Sequence, residues 1–226
     1  MRFINYFRKS VPVATPYPGN EDAQQRYYKK LRLQVLIAAL LSHSLYYVCR
    51  TTLNVVKEPI LDNGALNATQ LGMIGSAMLF VYAVGKFVNG FLADYSNIKR
   101  FMAAANLIIG IAGFLNGDGY IGNAIFFLTF IILWGINGWA QSMGGPPGIV
   151  SLSRWYPLST RGTYYGFFSA SHNLGEFFSF LFVGAIVGLC GWHWGFAGSA
   201  VAGAIGIAII IALLHDSPES KGLPPI

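Results

Sequence analysis

Charge is scarce in this 226-residue sequence. Asp, Glu, Lys and Arg make up 11% of it, less than half of the roughly 25% usual in soluble domains. Apolar residues take their place at 54%, gathered into six stretches of roughly 17–28 residues, each able to cross a ~30 Å hydrocarbon core. A soluble enzyme is excluded. The stretches are continuous rather than alternating, which excludes a transmembrane barrel as well. Cysteine is nearly missing: Cys49 and Cys190 cannot build a disulfide framework or a zinc site, and read as small apolar residues. The four histidines lie on separate segments and offer no metal cluster, so no metal and no other cofactor is expected. Ser76 and His172 lack any nucleophile-elbow or oxyanion motif. No catalytic residue is expected, and the chain does not read as an enzyme.

The positive charge present is unevenly placed. Net charge is +6, and residues 1–32 supply +5 of it through Arg2, Arg8, Lys9, Arg26, Lys29, Lys30 and Arg32 against two acids. A basic stretch just before a first span fits the positive-inside rule, so nucleic acid is not an expected partner; the lipid bilayer is. This stretch holds no apolar core of signal-peptide length. Residues 1–32 therefore read as a cytoplasmic tail, 33–215 as a transmembrane bundle, and 216–226 as the start of a cytoplasmic loop.

Six spans are expected near Leu33–Ile60, Gln70–Ala93, Phe101–Asn116, Asn123–Trp155, Gly162–Cys190 and Trp194–Leu214, separated by Pro, Gly, Asn and Asp turn signals. The fold class is an all-α membrane protein of six transmembrane helices. With the N-terminus inside, the inner segments hold twelve cations and the outer loops only Lys57, which orients both termini to the cytoplasm. Within the fourth span, Gly144-Gly145-Pro146-Pro147-Gly148 forces a kink or local unwinding. It serves either packing or, as in transporters, a solute cavity.

Arg50, Lys86, His172 and Glu176 fall inside spans, where each central charge costs roughly 2.5–3.5 kcal/mol. His43, Tyr46, Tyr47, Arg50 and Asn54 recur at helical steps on the first span; Tyr82, Lys86 and Asn89 do so on the second, and Tyr165, Ser169, His172 and Glu176 on the fifth. A shared polar cavity would satisfy all three stripes. Two cations against one acid favour an anionic ligand; a phosphate monoester carries about −1.5 to −2. The alternatives are that Lys86 snorkels inward, that Arg50 reaches headgroups, and that His172 and Glu176 form a self-satisfied pair one turn apart.

Taken in order, Tyr46-Tyr47-Val48-Cys49-Arg50, Tyr82-Ala83-Val84-Gly85-Lys86-Phe87, Gly90 through Asn97, Gly138 through Pro147, Ser171-His172-Asn173-Leu174-Gly175 and Asp216-Ser217-Pro218 through Ile226 resemble the organophosphate:phosphate antiporters of the major facilitator superfamily. That family includes hexose-phosphate and glycerol-3-phosphate exchangers and a hexose-phosphate sensor. The resemblance implies the N-terminal six-helix half of a twelve-helix fold, located in a bacterial inner membrane. It implies Arg50 as a phosphoryl-binding arginine, with Lys86, His172, Tyr47 and Tyr82 around the substrate. His43, Tyr46, Trp139, Gln141, Ser169 and Glu176 are further cavity candidates, and Gly90, Asp94 and Arg100 belong to a cytoplasmic gating motif. His43, Thr51, Tyr95 and Glu176 depart from the pattern, each altering charge or donors. The implied function is exchange of a sugar phosphate, hexose phosphate first, for inorganic phosphate, with the missing C-terminal half as partner, supplied by the same gene or a second chain. The alternative is a membrane sensor of external hexose phosphate that signals to a histidine kinase.

Overall fold

The computed structural model describes residues 7–13, 19–101 and 123–226. Among these residues the fold is helical, with no strand: α1 (Glu21–Asp62), α2 (Ala68–Tyr95), α3 (Asn123–Ser142), α4 (Gly145–Trp155), α5 (Leu158–Phe178), a π-helical turn (Ser179–Val183), α6 (Gly184–Cys190) and α7 (Trp192–Leu213). Among the described residues five segments are long and apolar enough to cross a membrane: Glu21–Asp62, Ala68–Tyr95, Phe126–Trp155, Leu158–Cys190 and Trp192–Leu213. The expected third span, Phe101–Asn116, lies outside the described residues save for Phe101 itself.

Helix α1 departs most from expectation. Residues 21–32 are already helical, ahead of the expected span, because Asn20 accepts the Ala23 N–H at 3.0 Å and Glu21 and Asp22 face the positive end of the helix dipole. Its 42 residues span about 63 Å, twice the hydrocarbon thickness. Leu33 marks where the apolar run begins, not where the helix does. A reciprocal capping box between Asn67 and Gln70 starts α2, both bonds at 2.9 Å. The expected break in the fourth span falls at Met143–Gly144, and Pro146 and Pro147 occupy the first turn of α4, where a missing N–H costs little. The fifth span starts at Leu158, four residues earlier than expected, behind Pro157.

Helix α1 is the hub, packed on α7 and α5, while α2 packs on α3 and α4 touches both groups. Two glycines permit the closest approaches. A Cβ at Gly138 would lie 2.5 Å from the Met78 carbonyl oxygen, and one at Gly175 would collide with the Ser44 carbonyl and lie 2.5 Å from Tyr47 Cβ. Apolar cores close both ends of the bundle: Leu31, Val35, Leu152, Trp155 and Ile210 at one, Ile60, Ile74, Phe130, Trp134 and Phe196 at the other. Between them, α1 satisfies its buried hydroxyls internally: Ser42, Thr51 and Thr52 each donate to a carbonyl one turn back, at 2.6, 2.7 and 2.8 Å.

Polar contacts lock the end that carries residues 7–13 and 214–226. Arg154 at the end of α4 pairs with Asp216 at 2.6 Å. The Asp216 carboxylate also accepts the Ile98 N–H at 3.0 Å and the Ser10 N–H at 2.8 Å. Arg154 Nη2 donates to the Asp94 carbonyl at 3.0 Å, Arg32 Nε to the Trp155 carbonyl at 2.8 Å, and Trp155 Nε1 to the His215 carbonyl at 3.0 Å.

Candidate functional site

The site grows from one face of α1, where His43, Tyr47 and Arg50 follow at four- and three-residue steps. The Arg50 guanidinium lies 4.3 Å from the centre of the Tyr82 ring on α2 and 5.3 Å from that of Tyr47. Lys86 Nζ, one turn beyond Tyr82, lies 5.6 Å from the same ring. Two cations thus share one aromatic ring, a contact worth about 0.5–2 kcal/mol each. Among the described residues neither cation pairs with a carboxylate.

The string continues onto α5. Tyr47 and His172 ring centres are 5.6 Å apart. His172 Nδ1 bonds the Ser169 carbonyl one turn back. A carbonyl can only accept, so Nδ1 carries the hydrogen and Nε2 is left for another partner. His43 sits 5.2 Å from Tyr47 and 4.6 Å from Phe168, with Nδ1 2.7 Å from Ser171 Oγ. Because that hydroxyl also donates to the Phe168 carbonyl, His43 Nδ1 is the donor here. The contact of Gly175 with Ser44 and Tyr47 allows α5 to approach this closely.

Lys86, Tyr82, Arg50, Tyr47 and His172 therefore form one continuous string over three helices. Other expected residues fall elsewhere. Tyr46 is only 1% exposed and Gln141 only 5%. Gln141 Nε2 donates to the Tyr46 carbonyl at 2.9 Å, so the two pack α1 on α3, because Tyr46 points about 100° around the helix from Tyr47. Trp139 packs beside Gly85 on α2, and Ser169 contributes its carbonyl. The pairing of His172 with Glu176 is not formed among the described residues: His172 turns back to Ser169, and Glu176 is exposed. In the gating segment, Gly90 is half-buried, the Asp94 side chain is exposed and it is the Asp94 carbonyl that binds Arg154, while the Arg100 N–H is capped by Asn97 Oδ1 at 3.2 Å. Sequence reasoning missed Ser171 and Phe168 as partners of His43. The only signal for them was the small-residue spacing Ser171–Gly175 beside His172.

The family model described as Major Facilitator Superfamily matches residues 39–225. The chain belongs to the major facilitator superfamily. It is 31% identical over 208 residues to a "Probable hexose phosphate transport protein" of Chlamydia pneumoniae, covering 92% of this chain and 44% of that one. The "Membrane sensor protein UhpC" of Escherichia coli is 30% identical, covering 91% of this chain and 45% of that protein. The "Hexose-6-phosphate:phosphate antiporter" of Salmonella typhimurium is 30% identical, covering 99% and 48%. Among solved structures, an inward-facing bacterial homologue of the lysosomal transporter Spinster superposes with a TM-score of 0.67 at 20% identity, covering 84% of this chain and 44% of that one. This major facilitator chain thus spans a little under half the length of the relatives it matches. It is a multi-pass membrane protein of a transporter family, not an enzyme.

Proposed function

We propose that this chain forms the N-terminal half of a transporter that exchanges an organophosphate, hexose phosphate first, for inorganic phosphate. It would sit in a bacterial inner membrane with both termini cytoplasmic. The observation that carries this reading is the pair of cations at Tyr82: Arg50 and Lys86 share a ring and have no described carboxylate partner. A phosphate monoester, at about −1.5 to −2, matches them. Arg50 supplies a planar fork for two phosphoryl oxygens and Lys86 a point charge. The Tyr47 and Tyr82 rings hold the guanidinium in place, and His172 offers Nε2. Alternating access would rock this bundle against the complementary half around the site, with the α3–α4 break and the π turn after α5 as the points that yield.

Similarity to a membrane sensor favours one second reading, in which the same site binds hexose phosphate without exchanging it. The test is exchange in proteoliposomes loaded with phosphate, using this chain together with its complementary half. Glucose 6-phosphate uptake should saturate. Arg50→Lys should abolish it although the charge is kept, Lys86→Arg should be milder, and this chain alone should be inactive. Near-wild-type affinity in both variants removes these residues from the site, and binding without exchange selects the sensor.

A further inference from the structure

A second concentration of positive charge lies at the locked end of the bundle, apart from Arg50 and Lys86. Lys99, His215 and Lys221 converge on a cavity of about 240 Å³, walled also by Asn97, Asp216 and Ser220. They arrive from separate places: Lys99 from the helical segment that begins at Ile98, His215 from the segment after α7, and Lys221 from a single 3-10 turn at Glu219–Lys221. Lys99 Nζ donates to the Ile211 carbonyl in the last turn of α7, where the helix dipole favours a cation. An ammonium has three donors, and among the described residues this carbonyl takes one of them.

Burial, and then the charges of Lys221 and Lys99, push the His215 imidazole down to about 4, in keeping with the two ammonium groups that line the same cavity. The nearby carboxylates do not neutralise them. Asp216 is committed to Arg154 and to the Ile98 and Ser10 N–H groups, and Glu219 lines a separate cavity with Gln24 and Gly222. The cavity lies just past the end of α7, one of the helices long and apolar enough to cross a membrane.

We propose that this cavity binds a phosphate-bearing anion between Lys99 and Lys221, the phosphate being either free or the headgroup of an anionic phospholipid. Two point charges suit a phosphate group, and anionic headgroups lie where a spanning helix leaves the hydrocarbon. The site is built from residues independent of the Arg50–Lys86 string.

The test uses the full chain in phosphatidylcholine nanodiscs, with Arg50→Gln and Lys86→Gln in every sample but one control that keeps both cations, so that the central site contributes nothing outside that control. One arm titrates inorganic phosphate by calorimetry. The other adds phosphatidylglycerol to the discs and counts retained lipid by native mass spectrometry. Saturable binding is expected in one arm, and which arm shows it identifies the source of the phosphate. Lys99→Gln with Lys221→Gln should weaken it at least about tenfold, the loss of one charge-assisted hydrogen bond. Lys99→Arg with Lys221→Arg should keep it, which separates binding from folding. No binding in either arm, or binding unchanged in the glutamine pair, overturns the proposal; phosphate binding seen only when Arg50 and Lys86 are intact overturns it while leaving the central site standing.

Discussion

Replacing Asp216 by alanine should destabilise the chain more than any change on its lipid face. The carboxylate is 3% exposed and its Arg154 partner 10%, so the pair is buried rather than screened. Deletion leaves the guanidinium, among the described residues, with the Asp94 and Ser96 carbonyls alone and leaves the buried Ile98 N–H without its acceptor. Breaking a buried pair by removing one partner costs about 3–5 kcal/mol, of which an orphaned N–H contributes ~1–3. Asp216→Asn keeps the shape and one acceptor, and should cost less. Arg154→Met combined with Asp216→Leu should recover part of the loss, since no charge then stays buried. The assay is reversible unfolding in mixed micelles, followed by circular dichroism and repeated for a complete double-mutant cycle. A cost below about 1 kcal/mol for Asp216→Ala, the range of an exposed pair, would refute the reasoning.

Three further outcomes are expected. A cysteine placed at Asn63 should label from outside intact cells, and one at Ser159 only after permeabilisation; the reverse pattern would invert the proposed topology. Gly175→Leu should destabilise by about 1–3 kcal/mol through overpacking and displace Tyr47, whereas Gly184→Leu, with open space around it, should be tolerated; equal melting temperatures would contradict this close approach. His215 is held neutral in the fold, down at about 4, while the unfolded chain takes up a proton near 6.5. Stability in phosphate-free buffer should therefore fall as pH drops from about 6.5 toward 4; His215→Gln should flatten that slope, and an unchanged slope would show that His215 is not its source.

The features legible in the sequence were those set by local chemistry. Apolar length marked the spans, Gly144 with Pro146 and Pro147 marked the break, and three- and four-residue steps put Tyr47 with Arg50 and Tyr82 with Lys86. Local chemistry also misled. The cations of residues 26–32 disguised the first turns of α1 as tail, although Asn20, Glu21 and Asp22 spelled a helix start. Spacing placed His172 and Glu176 together, but a carbonyl on the same helix took the imidazole instead. A helical step could not say which of Tyr46 and Tyr47 packs toward α3, and it is Tyr46 that is buried there, beside His43. Contacts such as His43 with Ser171, or Arg154 with Asp216, join positions more than sixty residues apart and depend on how the helices are assembled.

The unbroken length of α1 has a mechanical consequence. Two of the spans that touch it are interrupted, one at Met143–Gly144 and the other by the π turn at Ser179–Val183, while α1 runs from Glu21 to Asp62 without a gap. Arg50 and Arg32 ride on the same rod, roughly 27 Å apart along its axis. A tilt of about 5° around Arg50 would carry Arg32 by ~2 Å at that spacing, comparable to the length of the bond it makes with the Trp155 carbonyl. Occupancy of the proposed site at Arg50 would thus be joined to the integrity of the distant lock by leverage, with no relay of side chains between them.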